Sequence, residues 1–235
     1  MDNLDSLRDN GRERSNDQTI KRSNDRTVYF DNNATTRVAP EVVDAMLPFL
    51  REKYGNPSSM HAFGGEIAKD VARAREEVAA FLNCAPEEII FTSCASESDN
   101  TALRGTAEYF GRATKVITTA VEHPAVLQPC RRLKAQGHEV VELGVNGVGQ
   151  IDLDELRSQL AGTKNALVSI MWANNETGTI FPIDEIAAIC KEYGAIFHTD
   201  AVQVAGKIPV DVRKTPVDML SMSGHKFHAP KGIGL

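Results

Sequence analysis

Three polar side chains with catalytic potential occur where short apolar runs of the sequence end. Asp200 closes the run AIFHTD, His123 follows KVITTAVE, and Lys226 follows VDMLSMSGH. A carboxylate at the end of an apolar strand needs a cationic partner or good hydrogen bonds to remain charged. A lysine in a partly desolvated pocket has a lowered pKa and can form a Schiff base. Taken singly, each residue also has a plain structural explanation, as a helix cap or a surface lysine.

Two further segments offer groups that could bind a ligand. FTSCASESDN (91–100) runs from a predicted strand into a predicted helix, so its serines and backbone N–H groups would face an anion at the helix N-terminus. The same pattern is also ordinary helix capping. In MWANNETGT (171–179), the amides of Asn174 and Asn175 could hydrogen-bond a ligand oxygen or make an Asx turn.

The combination of these groups is more informative than any one of them. An anion site, a carboxylate, amides, an imidazole and an amine all follow strands of one predicted sheet. In open α/β sheets, ligands bind beyond the carboxyl ends of the strands. This set of groups fits pyridoxal phosphate, whose phosphate, ring nitrogen, ring hydroxyl and aldehyde need such partners.

The elements that must position these residues alternate between β-rich runs and helical patterns, which is typical of βα units around a mainly parallel sheet. The predicted strands are residues 88–93, 115–120, 139–143, 166–172, 195–201 and 217–223. The predicted helices are residues 39–52, 64–82, 97–110, 124–136, 152–160 and 182–193. The fold class predicted from this order is doubly wound α/β.

Composition excludes several classes of protein. The 235 residues carry a net charge of −6, which gives no electrostatic basis for binding nucleic acid. No run approaches the ~18 apolar residues of a membrane span, and the N-terminus has no apolar signal core. The four cysteines form no C-x-x-C pair, so we predict free thiols, no metal site and a cytoplasmic location. Small molecules and proteins are the expected partners.

Residues 1–26 differ from the rest of the chain. They have almost no large apolar side chains and contain RSND twice. Such a segment cannot bury enough surface to offset its ordering entropy, so we predict a disordered polar tail.

Seven motifs, taken together and in order, resemble the NifS-type cysteine desulfurases, which are class-V, fold-type-I pyridoxal-phosphate enzymes. The resemblance covers nearly all of residues 28–235. The motifs are YFDNNATTRV (29–38), YGNPSSMHAFG (54–64), FTSCASESDN (91–100), TTAVEHPAVL (118–127), SIMWANNETGTIFPI (169–183), FHTDAVQVAGKIPVD (197–211) and SGHKFHAPKGIG (223–234).

The resemblance implies a domain organisation. Residues 27–45 would be an N-terminal segment associated with a small domain, and residues 46–235 a cofactor-binding large domain with a mainly parallel, seven-stranded-type sheet flanked by helices. The chain would be an N-terminal fragment, truncated before completion of the large domain and before the C-terminal small domain. The same resemblance implies a homodimer.

The resemblance also implies roles for individual residues. Lys226 would form the Schiff base, Asp200 would pair with the pyridinium nitrogen, and His123 would stack on the ring and take part in proton transfer. The remaining cofactor contacts would be Asn175 and Gln203 at the ring hydroxyl, and Ala95, Ser96, Ser223 and His225 at the phosphate. The family pattern has Thr at position 96, and Ser96 keeps its hydroxyl group.

The implied reaction removes sulfur from L-cysteine and gives L-alanine and an enzyme-bound persulfide. An iron–sulfur scaffold protein would then accept the sulfur. The sequences MWANNETGT and HAPKG are more similar to the nitrogen-fixation branch of the family than to its housekeeping branch. In the family, the nucleophilic cysteine lies well downstream of the Schiff-base lysine, and none of the four cysteines here matches its motif. Two alternatives therefore remain open: a catalytically incompetent cofactor-binding or partner-binding fragment, or another class-V enzyme such as a selenocysteine lyase or an aminotransferase.

Overall fold

The helices and strands follow the alternation expected from the sequence. The computed structural model describes residues 19–21 and 27–235. Its strands are β1 (Thr19–Lys21), β2 (Thr27–Tyr29), β3 (Lys115–Thr119), β4 (Glu139–Leu143), β5 (Ala166–Ser169), β6 (Ile196–Asp200) and β7 (Met219–Ser221). Its α-helices are α1 (Pro40–Arg51), α2 (Ala62–Leu82), α3 (Ala95–Phe110), α4 (Pro124–Ala135), α5 (Leu153–Leu160) and α6 (Ile183–Tyr193).

Five strands form one parallel sheet in the order β4-β3-β5-β6-β7. Successive side chains of a strand point to opposite faces of the sheet, and both faces are covered here. One face packs against α3 and α4 through Val116, Leu167, Ile196 and Met219. The other packs against α2, α5 and α6 through Ile117, Val168, Phe197 and Leu220. The expected α/β fold with a parallel sheet between helical layers is confirmed, and the described residues hold five parallel strands of the seven-stranded-type sheet.

Local sequence signals explain where the helices begin and end. Pro124 occupies the first turn of α4, where its missing N–H group costs nothing. Asp152 caps α5 by accepting from the backbone N–H groups of Asp154 and Glu155. Helix α2 ends where Asn83 adopts a left-handed conformation with φ of 60°. The six predicted helices agree with the observed ones to within two residues at each end.

The strand predicted at residues 88–93 is wrong. Residues Pro86–Glu88 form a 3-10 turn, and Thr92 makes a single antiparallel bridge with Gly234. Thr92 and Gly234 exchange both backbone hydrogen bonds, at 2.9 Å each. A strand needs a neighbouring strand along its length, and among the described residues this segment pairs with another backbone segment only at Thr92.

The N-terminal region contains a small separate sheet. Strands β1 and β2 pair antiparallel, from Thr19 opposite Tyr29 to Lys21 opposite Thr27. Residues 19–21 fall within the predicted disordered tail of residues 1–26, and the rest of that tail lies outside the described residues. The predicted division at residues 27–45 and 46–235 stays a prediction. In the described part of the chain, no helix is both long enough and apolar enough to cross a membrane.

Candidate cofactor site

A cavity of about 590 Å³ lies at the carboxyl ends of the parallel strands. Its volume is in the range of small-molecule sites. Residues at or after the carboxyl ends of β3, β5, β6 and β7 contribute to its lining. All nine predicted site residues line it, namely Ala95, Ser96, His123, Asn175, Asp200, Gln203, Ser223, His225 and Lys226.

Lys226 lies at the end of a 3-10 turn (Gly224–Lys226) that follows β7, and it is half-buried. Its ammonium group donates to the backbone carbonyls of Asn33 and Ala34, the latter at 3.0 Å. Burial lowers the pKa of Lys226, and the nearby positive charge of Lys207 lowers it further. A lowered pKa increases the fraction of neutral amine, which is the nucleophilic form.

Asp200 is the last residue of β6 and is buried. Its carboxylate accepts a hydrogen bond of 2.9 Å from the backbone N–H of Val202. Burial raises its pKa, while the Val202 N–H and the charges of His123 and Lys226 act in the opposite direction. The carboxylate therefore faces the cavity with its charge only partly compensated, which suits a cationic ring nitrogen.

His123 is both a helix cap and part of the cavity lining. It caps α4, because its Nδ1 accepts from the backbone N–H of Ala125 at 3.1 Å. The ring also lines the cavity. An Nδ1 atom that accepts a hydrogen bond leaves the proton of the neutral ring on Nε2. The cap thus fixes the ring tautomer.

The N-terminus of α3 forms the end of the cavity suited to an anion. The first backbone N–H groups of a helix have no acceptor within the helix, and here they belong to Ala95 and Ser96. Residue Gly234 passes so close that a Cβ atom there would lie 2.6 Å from the carbonyl carbon of Cys94. This close approach brings the segment of Ser223 and His225 beside the helix N-terminus, since Gly234 also bridges Ser223.

The two asparagines after β5 differ in their roles. Asn174 is buried and makes the Asx turn, because its Oδ1 accepts from the backbone N–H groups of Glu176 and Thr177 at 2.9 and 3.0 Å. Asn175 lines the cavity, and its backbone carbonyl accepts from Asn33 at 3.2 Å.

The sequence analysis missed one chain segment at the site. Residues 31–36, called here the N-terminal strap, contribute Asp31, Asn33 and Ala34 to the cavity lining. Gln203 also donates to the Asn33 carbonyl, at 3.1 Å. The DNNATT motif was visible in the sequence, but nothing local links it to a lysine 190 positions later.

Asp99 is a second residue that the sequence analysis missed. It is fully buried and lines the cavity. Its position four residues before the buried Leu103 places it on the apolar stripe of α3, which was a readable signal.

The four cysteines are free and lie in different surroundings. Cys130 and Cys190 are buried in helices, and burial raises the pKa of each to about 12. Cys84 follows α2 and is half-buried. Cys94 precedes α3 and lines the cavity. Within the described ranges, no group of three or more His, Cys, Asp and Glu is arranged to hold a metal ion.

The residues present fit pyridoxal phosphate. The helix N-terminus with Ser96, Ser223 and His225 suits a phosphate, and Lys226 supplies an amine with a lowered pKa for the aldehyde. Asp200 supplies the buried carboxylate for a ring nitrogen. These three groups line one cavity large enough for the ring between them.

Comparisons with known proteins point to one family. The model of the family "Aminotransferase class-V" matches residues 28–235. Over 204 residues the chain is 58% identical to a cysteine desulfurase of Trichormus azollae, a match that covers 87% of this chain and 51% of the relative. It is 50% identical over 206 residues to the cysteine desulfurase NifS of Azotobacter vinelandii, with the same coverage. The chain thus spans about half the length of the curated relatives it matches.

Solved structures give the same picture. A NifS-like protein superposes with a TM-score of 0.85 at 48% identity, covering 88% of this chain and 57% of that protein. The structure of "SspA in complex with cysteine" superposes with a TM-score of 0.82 at 37% identity, covering 88% and 59%. The resemblance to NifS-type cysteine desulfurases found in the sequence is confirmed.

Proposed function

The chain belongs to the class-V aminotransferase family, and from this premise we propose that the whole protein is a cysteine desulfurase. It takes L-cysteine and transfers the sulfur atom to an enzyme thiol, which leaves L-alanine and a persulfide. The observation that carries the proposal is the convergence of Lys226, Asp200 and the α3 N-terminus on one cavity. The 50–58% identity to cysteine desulfurases favours this reaction over other class-V reactions such as that of a selenocysteine lyase.

Pyridoxal phosphate is the cofactor of these relatives, and when bound it withdraws electrons from the α-carbon of an amino acid. The Lys226 amine, whose pKa burial lowers, would hold the aldehyde group of the cofactor. The N–H groups of Ala95 and Ser96, the hydroxyls of Ser96 and Ser223, and His225 would hold the phosphate. Asn175 and Gln203 orient the ring hydroxyl.

Two residues perform the remaining steps in this proposal. The buried Asp200 carboxylate would pair with the ring nitrogen and favour its protonated form. His123 carries its own ring proton on Nε2 and is positioned by the Ala125 N–H to exchange a proton with the reacting atoms. Cys130 and Cys190 are poorly suited as the sulfur acceptor, because both thiols are buried and burial raises the pKa of each to about 12.

The proposal includes partners and a location. The resemblance leads us to expect a homodimer. It also leads us to expect an iron–sulfur scaffold protein as the acceptor of the sulfur. The NifS name of a relative supports a role in nitrogen fixation. We propose a cytoplasmic location, where the four free cysteines remain reduced.

The experiment that tests the proposal compares Lys226→Ala with Lys231→Ala in the full protein. Lys231 is exposed and only five residues away, so it is a matched control. Purified wild type and Lys231→Ala should show the absorbance of covalently held cofactor and form alanine from L-cysteine, whereas Lys226→Ala should show neither. Alanine formation by Lys226→Ala at the wild-type rate, or none by wild type with its cofactor bound, would refute the proposal.

A further inference from the structure

The face of the sheet that packs against α3 changes from apolar to polar along the strands. At the strand beginnings it presents Val116, Leu167, Ile196 and Met219. Two residues further along each strand, side chains point to the same face again. These positions hold Thr118, Ser169, His198 and Ser221, followed on β6 by Asp200, and all are buried. A buried polar layer therefore lies beneath the first turns of α3, directly below the cofactor cavity.

Asp99 projects from α3 onto this layer. Its exposed fraction is 0%, and neither carboxyl oxygen finds a hydrogen-bond partner among the described residues. It also lines the cofactor cavity. A buried carboxylate without donors is strongly destabilising, so the group must be neutral or paired with a cation.

The nearest candidate cation is His198, whose Nε2 lies 3.6 Å from Asp99 Oδ1. Both ring nitrogens already contact hydroxyls: Nδ1 lies 2.9 Å from Ser169 Oγ, and Nε2 lies 2.9 Å from Ser221 Oγ. Burial lowers the pKa of His198 to about 4, so its ring is neutral at pH 7. His198 therefore does not supply the positive charge that an ionised Asp99 would need.

Asp99 and Asp200 have unequal surroundings. Asp200 accepts a hydrogen bond from the Val202 N–H. The charges of His123 and Lys226 act to lower its pKa. Burial and the negative charge of Asp200 raise the pKa of Asp99 to about 9, although the nearby Ser221 hydroxyl acts to lower it. When two buried carboxyl groups interact, the one with fewer donors keeps the proton.

The other ionisable groups near Asp99 do not change this assignment. Cys94 precedes its own helix, and Glu122 lies between β3 and α4; both act to disfavour a charge on Asp99. Glu122 already accepts from the Thr119 hydroxyl and the Met171 N–H, at 2.9 and 2.8 Å.

We propose that Asp99 is a positioning residue of the cofactor site: it keeps its proton while Asp200 is ionised, so that this buried pair contributes one carboxylate to the cavity rather than two. The assignment rests on the proposed function for the identity of the cofactor. A single negative charge, located on Asp200, is what a protonated ring nitrogen needs. A second carboxylate at Asp99 would repel the negative charge of Asp200 and change the electrostatic environment of the ring.

The test compares Asp99→Asn with Glu122→Gln in the full protein. Asparagine has the shape of a protonated aspartic acid but cannot ionise, and glutamine keeps both acceptor contacts of Glu122. Infrared difference spectra of the cofactor-free protein at pH 7 should show the carbonyl band of a protonated carboxylic acid. Asp99→Asn should remove the part of this band that disappears as the pH rises through about 9, and Glu122→Gln should retain that part.

The second readout is the absorbance of the bound cofactor between pH 7 and 10. Wild type and Glu122→Gln should show a transition that Asp99→Asn lacks, whereas a merely structural Asp99 would leave the three profiles identical. If Asp99→Asn fails to fold, Asp200→Asn provides the answer, because removing the charge of Asp200 should move the infrared titration of Asp99 to lower pH. An Asp99 that is already ionised at pH 7 would overturn the inference. Failure of wild type to bind the cofactor would instead overturn the proposed function.

Discussion

At the scale of single residues, the partial burial of Lys226 influences its reactivity. Lys226 is half-buried and its ammonium group contacts carbonyl oxygens, while Lys207 adds a second positive charge nearby. Burial and like charge both favour the neutral amine. The reactivity of Lys226 therefore depends on a neighbour that does not line the cavity.

This dependence predicts the effect of Lys207→Gln. The substitution removes the positive charge that now donates to Gln203 at 2.8 Å and keeps a polar hydrogen-bond donor on the side chain. The pKa of Lys226 should rise, so the neutral fraction at pH 7 falls and covalent attachment of pyridoxal phosphate slows several-fold. The pH profile of the attachment rate should move to higher pH, as measured by the absorbance that appears after mixing cofactor with cofactor-free protein.

Lys164→Gln is the matched control, because Lys164 is exposed and does not line the cavity. It should leave the pH profile where wild type has it. If Lys207→Gln does so as well, Lys207 has no part in setting the pKa of Lys226.

At the scale of secondary-structure elements, the N-terminal strap connects distant parts of the chain. Thr36 is its buried anchor. The Thr36 backbone N–H and hydroxyl both donate to the His225 carbonyl, at 2.8 and 2.9 Å, and the hydroxyl accepts from the His228 N–H at 2.8 Å. This anchor holds the carbonyls of Asn33 and Ala34 against Lys226.

Thr36→Val should therefore loosen the strap. Valine has nearly the same shape but leaves the His228 N–H without its acceptor, which costs about 1–3 kcal/mol of unfolding free energy. Urea denaturation of the full protein measures this loss. Thr163→Val is the comparison, since the Thr163 hydroxyl donates only to the Gln159 carbonyl at 3.3 Å, and it should cost less than about 1 kcal/mol. Equal losses in the two variants would show that Thr36 is no special anchor.

The same elements show how far sequence reasoning reaches. Helices α1–α6 and strands β3–β7 could be predicted because each carries its own periodicity and boundary signals. Asp200, His123 and Lys226 could be predicted to meet because parallel strands end at one edge of a sheet. The contact of Lys226 with Asn33 could not, because it depends on tertiary packing across the chain. The strand prediction for residues 88–93 is wrong for a related reason. A β-rich composition does not show over how many residues a segment will pair with a neighbouring strand.

At the scale of the whole molecule, one apolar groove is exposed, whereas the faces of the sheet are covered by helices. It has a volume of about 620 Å³ and lies between α3, β7 and residues 88–92. Ile90 and Tyr109 line it with exposed fractions of 69% and 83%. Large exposed apolar side chains around a groove promote self-association and binding of hydrophobic dyes.

The 235-residue chain expressed alone should therefore bind a hydrophobic dye such as ANS and self-associate. The double variant Ile90→Glu/Tyr109→Glu should bind clearly less dye and stay monomeric to higher concentration, because two carboxylates in the groove repel both dye and partner. Val148→Glu is the control, since Val148 is 74% exposed but lies outside the groove. Fluorescence titration and light scattering measure the two effects. A wild-type chain that binds no dye and remains monomeric would contradict the prediction, and so would an equal reduction by Val148→Glu, because the groove would then not be the surface responsible.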